Sequence, residues 1–409
     1  MKLIIRPERV LDCTGADSST GLEVVTSGER IEEIRPAESG EADGAQVIEA
    51  PGMTLMPGLM DLHIHLFQWG QRHDVPWERE SILEAGLRGI RNARSALELG
   101  VTTVRDVACR DNLSIQLRDL IRAGQVVGPR LLASGTQLEA SGRAAYFFRA
   151  IYVNGPDEVR AATRRQLRAG ADWIKVMATS GVGGGTGHLI SEPGWQELTE
   201  EELRAAAIEA HGPGRKITAH AIGNSGIKAA VRAGFDCIEH GDFLDEEAIE
   251  MMVERNTALV PTLTITRNLG EHGAERGFEQ NIVDRAQQTL EAGFASTLAA
   301  WNAGIRVAAG SDVDLDETAA EEVRMLHRAG LPKMAAIMAA TSTAASVIDL
   351  DHELGTVESN KIADLLLVEG DPLEDLGALD RVRYVIQGGV VIKSPDQSVV
   401  TSPLEALAV

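Results

Sequence analysis

In residues 61–66, "DLHIHL", His63 and His65 stand two apart in an apolar run. Side chains at i and i+2 of a strand share a face, so the two imidazoles point the same way, opposite Leu62, Ile64 and Leu66. Taken alone, such a pair serves a hydrogen-bonded core as readily as a metal ion. Lys175 lies inside "DWIKVMA", where a buried ammonium is costly unless paired. It either reaches water at a strand end or sits in an apolar site. There its amine loses its proton and becomes available for nucleophilic or carbamate chemistry. His220 closes "KITAHA", His240 closes "FDCIEHG" and Asp312 closes "VAAGSD". Each alone could be a core or capping residue, and Asp314 and Asp316 compete for the cap before "ETAAEEVRMLHRAG". Together, four histidines and an aspartate at run ends are good ligands for zinc or a similar divalent ion.

Eight short β-prone runs must position these residues: 58–66, 101–108, 129–138, 172–180, 216–221, 235–241, 257–263 and 305–312. Helical stretches with apolar residues three and four apart lie between them, such as "RESILEAGLRGIRNARSALELG" and "TEEELRAAAIEAHG". Eight alternations predict an α/β fold, a (β/α)8 TIM barrel over 57–354, whose functional groups sit at the strands' C-terminal ends. An open doubly wound sheet is the alternative, but no dinucleotide or phosphate-loop glycine pattern follows any run. Residues 1–56 and 355–395 read as short strands with turn punctuation. They predict one small β-sandwich domain built from both termini, followed by a tail over 396–409.

The chain has 409 residues and a formal net charge of −22. That balance argues against nucleic acid or an anionic membrane as partner, since both require clustered Lys and Arg. The first residues carry no leader-like apolar core before Arg6 and Glu8, and no apolar run reaches membrane-span length. Three widely spaced cysteines, Cys13, Cys109 and Cys237, are no disulfide framework. The expectation is a soluble cytoplasmic protein.

The order of motifs resembles the amidohydrolase superfamily of binuclear metal hydrolases. The matching pieces are "MPGLMDLHIHL", "GADWIKVMATSG", "ITAHA", "IEHG" and "GSD", flanked by "GVTTVRDV", "AATSTAASVI" and "ELGTVESNKIADLLLVEGDPLED". They span almost the whole chain. The nearest look is to the imidazolonepropionase-like branch, with its prolidase-type and arginine-carboxypeptidase-type members. The resemblance implies two divalent ions, zinc the leading candidate. His63, His65 and Asp312 would hold the first and His220 and His240 the second. Lys175, carboxylated by CO2, would bridge both. It further implies a bridging hydroxide as nucleophile, with Asp312 passing its proton to the leaving group. Lys175 favours amide hydrolysis over deamination, because mononuclear deaminating relatives lack the bridging lysine.

Two departures bear on substrate. Peptide-cleaving relatives follow the fifth-strand histidine with Ala-Tyr, where this chain has Ile222, and they carry a His-Gly-Asp stretch after the third strand, where it has "LEASGRAAYFF". Grip on a free carboxylate is then lost or moved to Arg143 or Arg149, which brings less polar amides, lactams and cyclic imides into range. Tyr146, His188 and Trp195 are further candidates for substrate contact. The glycine-rich stretch 179–195 reads as a lid or a long connection. Arg105 and Asp106 are expected to pair internally, and no catalytic thiol is expected at Cys109. The predicted activity is metal-dependent hydrolysis of a C–N bond in a small amide. Ester, lactone or phosphotriester cleavage at the same centre is the alternative, and a non-catalytic metal-binding scaffold is the alternative outside enzymes. Such barrels often associate, so a homo-oligomer is open.

Overall fold

The computed structural model describes residues 2–37, 44–68, 80–141, 150–182, 194–312 and 319–395. It is a mixed α/β structure. The chain opens with β1 (Lys2–Val10), β2 (Ser19–Thr20), β3 (Leu22–Ser27), β4 (Arg30–Pro36) and β5 (Gln46–Pro57). It then alternates: β6 (Leu59–Ile64), α1 (Ile82–Glu98), β7 (Val101–Asp106), α2 (Leu113–Arg122) and β8 (Arg130–Ala133). After β9 (Leu138–Ala140) and β10 (Ile151–Val153) come α3 (Gly155–Ala169), β11 (Trp173–Met177), α4 (Glu200–His211), β12 (Lys216–Ala221) and α5 (Asn224–Ala233). Next are β13 (Cys237–His240), α6 (Glu246–Arg255), β14 (Ala258–Val260), α7 (Leu263–His272) and α8 (Gln280–Asn302). The helices α9 (Ala319–Arg328), α10 (Lys333–Ala339) and α11 (Ser342–Val347) precede β15 (Leu365–Glu369), β16 (Val382–Gln387) and β17 (Val390–Lys393).

Helices α1, α4 and α6 start where a side-chain acceptor, Ser81, Thr199 or Asp245, meets an exposed N–H group. Ser81 and Glu84 form a capping box on α1, as Thr199 and Glu202 do on α4. Their small inner residues, such as Ala85, Gly89, Ala93 and Ala96 of α1, let helix and sheet approach closely.

Strands β6, β7 and β8 run parallel, as do β11, β12, β13 and β14. Their C-terminal ends therefore share an edge within each sheet. The Asp172 N–H donates to Ala133 O (2.8 Å) between β8 and β11. Segment 305–312 lies between β14 and β6: Ala308 N–H donates to Leu259 O (2.9 Å), Leu62 N–H to Ala309 O (2.9 Å) and Asp312 N–H to His63 O (2.8 Å). That segment forms a single parallel bridge, Leu259 to Val307, rather than the full strand the sequence suggests. Run 129–138 also departs from one strand. It breaks after Ala133 at Gly135, whose φ is +68° and where a Cβ would meet Asn112 Oδ1 and Gln166 Oε1 at 2.6 Å. The pair β9 and β10 was not anticipated; β9 joins β11 at Leu138–Val176.

Both chain ends share one eight-stranded sheet, ordered β17-β16-β15-β5-β1-β3-β4, with β2 on β1. Parallel pairing of β1 with β5 and antiparallel pairing of β5 with β15 interleave the termini. Leu3, Ile5, Val24, Ile31, Leu55, Leu365, Leu367 and Ile386 form this sheet's own buried cluster. A far larger cluster lies between the parallel strands and the helices and includes Ile64, Leu97, Val104, Ile174, Ala219, Ile238 and Leu326. Each fully buried Leu or Ile there contributes on the order of 1.5–3 kcal/mol. The expected tail, 396–409, lies outside the described residues.

Candidate metal centre

His63 is on β6 and His65 just beyond its end; their ring centroids are 5.3 Å apart, as the alternation requires. His220 is on β12 and His240 ends β13, with centroids 4.3 Å apart, and His63 lies 5.1 Å from His240. Asp312 closes the eighth segment. Its carboxylate lies 3.3 Å from His65 Nε2 and 3.8 Å from His63 Nε2. Ligating atoms of His63, His240 and Asp312 all fall within 4.8 Å of one another. Lys175, in the middle of β11, is 2 % exposed.

Three of the imidazoles share one orientation. Nδ1 of His63 pairs with Glu239 Oε2 (2.7 Å), Nδ1 of His65 with Ala108 O (3.0 Å) and Nδ1 of His240 with Thr262 Oγ1 (2.6 Å). The Nε2 atoms of His63 and His65 face Asp312. Those of His220 and His240 are buried with no hydrogen-bond partner among the described residues. A buried lone pair without a donor costs about 1–3 kcal/mol, so two of them side by side call for a cation. His240, Thr262 and Asp312 have φ of 72°, 50° and 52°, left-handed values that cost non-glycine residues energy.

Electrostatics leave these candidate ligands available. Burial, with Lys175 and neighbouring imidazoles, drives the pKa of His63 and His240 well below the usual value and that of His220 down to about 3. All three are then neutral near pH 7, with free lone pairs. Burial also lowers the Lys175 amine to about 8, against the opposing pull of Glu239 and Asp312. A free amine within reach of neutral pH is the form that reacts with CO2. The donor set of neutral imidazoles, a carboxylate and a buried amine fits divalent cations.

Several residues here were not singled out from sequence. Fully buried Glu239 accepts from Arg105 (2.5 Å) and Thr218 besides His63. Asp61 accepts from the N–H groups of His63 (3.1 Å) and Ser311 (3.0 Å) and from the Ser311 hydroxyl (2.5 Å), tying the first run to the eighth. The expected Arg105–Asp106 pair does not form. Adjacent strand residues face opposite ways, so Arg105 reaches Glu239 while Asp106 Oδ2 accepts from Leu66 N–H (2.9 Å). Carboxylates set within apolar runs were the available signal.

The candidate substrate contacts divide. Ile222 is 2 % exposed, and its N–H donates to Thr179 Oγ1 (3.0 Å), so its side chain belongs to the packed interior. Trp195 is 53 % exposed and is held through its backbone to Ser180. Arg143, Tyr146, Arg149, His188 and most of 179–195 lie outside the described residues. Cys109 is buried, and burial pushes its thiol well above the usual range.

Residues 54–392 match the amidohydrolase family model. Ochratoxinase of Aspergillus niger is 30% identical over 375 residues, covering 83% of this chain and 76% of the relative. Its crystal structure covers 96% of both chains at 25% identity with a TM-score of 0.83. The structure of a Xaa-Pro dipeptidase with methionine bound in its active site is 29% identical, covers 96% of this chain and 100% of that one, and gives a TM-score of 0.87. With the motif order, the converging histidines and this agreement along nearly its full length, the chain belongs to the amidohydrolase family.

Proposed function

We propose that this protein hydrolyses the C–N bond of a small amide at a centre of two divalent ions, zinc the leading candidate. In this reading residues 57–354 form a (β/α)8 barrel, supported by the hydrogen bonds that lead from β6 through β8, β11 and β14 to segment 305–312 and back to β6. Residues 1–56 and 355–395 form the small β domain. His63, His65 and Asp312 would hold one ion and His220 and His240 the other, with Lys175, carrying a CO2-derived carboxylate, as a further ligand. Carboxylation converts an expensive buried cation into a bidentate anion. Bound divalent ions would lower the pKa of water toward neutrality and polarise the substrate carbonyl. Asp312 accepts the proton as water adds to the carbonyl carbon, then delivers it to nitrogen as the C–N bond breaks. Its contacts with His63 and His65 keep that carboxylate in place.

The single observation that carries this reading is the convergence of four imidazoles and Asp312 with their Nε2 lone pairs facing inward. The similar proteins include a dipeptidase and an ochratoxinase. Ile222, apolar and buried, offers no polar grip, so we place a less polar linear or cyclic amide ahead of a dipeptide. The test is a panel of N-acyl amino acids, dipeptides, lactams, lactones and phosphotriesters, with ochratoxin included. Turnover of an amide that chelation abolishes and added divalent metal restores is the expected result. Turnover of esters alone, or activity indifferent to chelation, would contradict it.

A further inference from the structure

Glu239 stands apart among the groups around the imidazoles. His65 and His240 place Nδ1 against a backbone carbonyl and a hydroxyl, whereas His63 places it against a carboxylate, 2.7 Å away and 176 residues distant in sequence. A carboxylate oxygen offers only lone pairs, so the imidazole must donate from Nδ1. Nε2 then keeps its lone pair and faces Asp312. The other oxygen of Glu239 accepts from Arg105 Nη2 and Thr218 Oγ1, which fixes the carboxylate's rotation. Arg105 is itself fully buried, donates from Nε to Leu62 O (2.6 Å) and lies 4.5 Å from the Trp173 ring centroid. Leu62 O belongs to the same strand as His63, so the guanidinium braces both ends of the Glu239–His63 contact.

We propose that Glu239 is the positioning residue for the ion held by His63, and that Arg105 in turn positions Glu239. This rests on the two-metal reading above. Carboxylate partners of this kind raise ligand basicity and orient the ring, and their loss weakens metal binding about 10–100-fold. Because Glu239 immediately precedes His240 on β13, one strand both supplies a ligand to the second ion and orients a ligand of the first.

Removing Glu239 alone strands a buried guanidinium, so the decisive variant is Arg105→Met/Glu239→Gln, which removes both charges together. Zinc binding is measured by competition with a chelator, and the His63 tautomer by ¹⁵N NMR of the metal-free protein, assigned with His63→Ala. The double variant is expected to bind one of its two zinc ions about 10–100-fold more weakly and the other normally. Its His63 Nδ1–H signal is expected to be lost, and Glu239→Asp to recover part of the affinity. A folded double variant with wild-type affinity for both ions would overturn the proposal. So would a wild-type His63 protonated on Nε2, which decides the matter even if the variant fails to fold. Wild-type protein that binds no zinc would defeat the two-metal reading instead, while the NMR measurement would still report on Glu239.

Discussion

At the scale of the residue, Asp312 is proposed to carry two roles, metal ligand and proton carrier, that one substitution separates. Asparagine keeps its shape and one ligating oxygen but takes up no proton. Asp312→Asn is therefore expected to retain most bound metal and to lose about 10²–10⁴-fold in kcat, read by turnover beside metal analysis. Glu139 on β9 tests the electrostatics away from the histidines. Burial first, and Glu197 second, raise its pKa to about 8. The native state then holds a proton that the unfolded chain releases in the ordinary carboxylate range. Between about pH 4.5 and 8 the native state binds more protons, so this group makes stability fall as pH rises, by up to about 1.4 kcal/mol per pH unit. Glu139→Gln should flatten that fall in denaturant midpoints measured at pH 5 and pH 8. An unchanged slope would remove Glu139 as its source. The candidate ligands were legible in sequence because a polar residue inside an apolar run is costly and needs a reason. Glu239 and Asp61 also lie inside apolar runs, but what they and Thr262 bind was not legible, because those partners sit largely on other strands and only the fold brings them near.

At the scale of the element, segment 305–312 matters more than its weak strand character suggests. Gly310 lies where a Cβ would stand 2.6 Å from His63 Cβ, 2.8 Å from His63 N and 2.5 Å from Val260 Cγ1. Gly310→Ala should push this segment off β6 and β14, cost about 1–3 kcal/mol and displace Asp312. The check is a paired measurement of unfolding midpoint and zinc affinity; full retention of both would show that the segment adapts freely. Hydrophobic alternation revealed where strands begin but not how long their ladders run. The eighth run pairs through one bridge and a few hydrogen bonds, and the third stops at Gly135, a turn set by the side chains of Asn112 and Gln166. Helices were clearer, since capping residues and small inner faces are local. The β9–β10 pair depends on contact with β11, and its short runs carried no local signature.

At the scale of the whole molecule, the terminal sheet and the parallel strands meet through Arg130 at the start of β8. Its guanidinium donates twice to Asp364 (2.6 and 3.2 Å), whose carboxylate also accepts from Gly388 N–H (2.7 Å). Asp364 is buried, so Asp364→Ala leaves an orphaned arginine and amide. A loss of about 2–3 kcal/mol is expected, below the range of fully buried pairs because Arg130 keeps some exposure. Equal stability of variant and wild type in urea would show that the two layers hold together without this contact. The β texture at both chain ends pointed to a shared unit. The interleaved order β15-β5-β1 was beyond reach, because strand pairing is decided by long-range fit rather than by local pattern. The proposed centre requires His63, His65, Lys175, His220, His240 and Asp312 to converge on two metal ions. Elemental analysis of protein purified with zinc present, wild type beside His63→Ala and His220→Ala, tests it most directly. About two ions per wild-type chain and about one fewer in each variant are expected. Folded variants that keep the full wild-type metal content would contradict it.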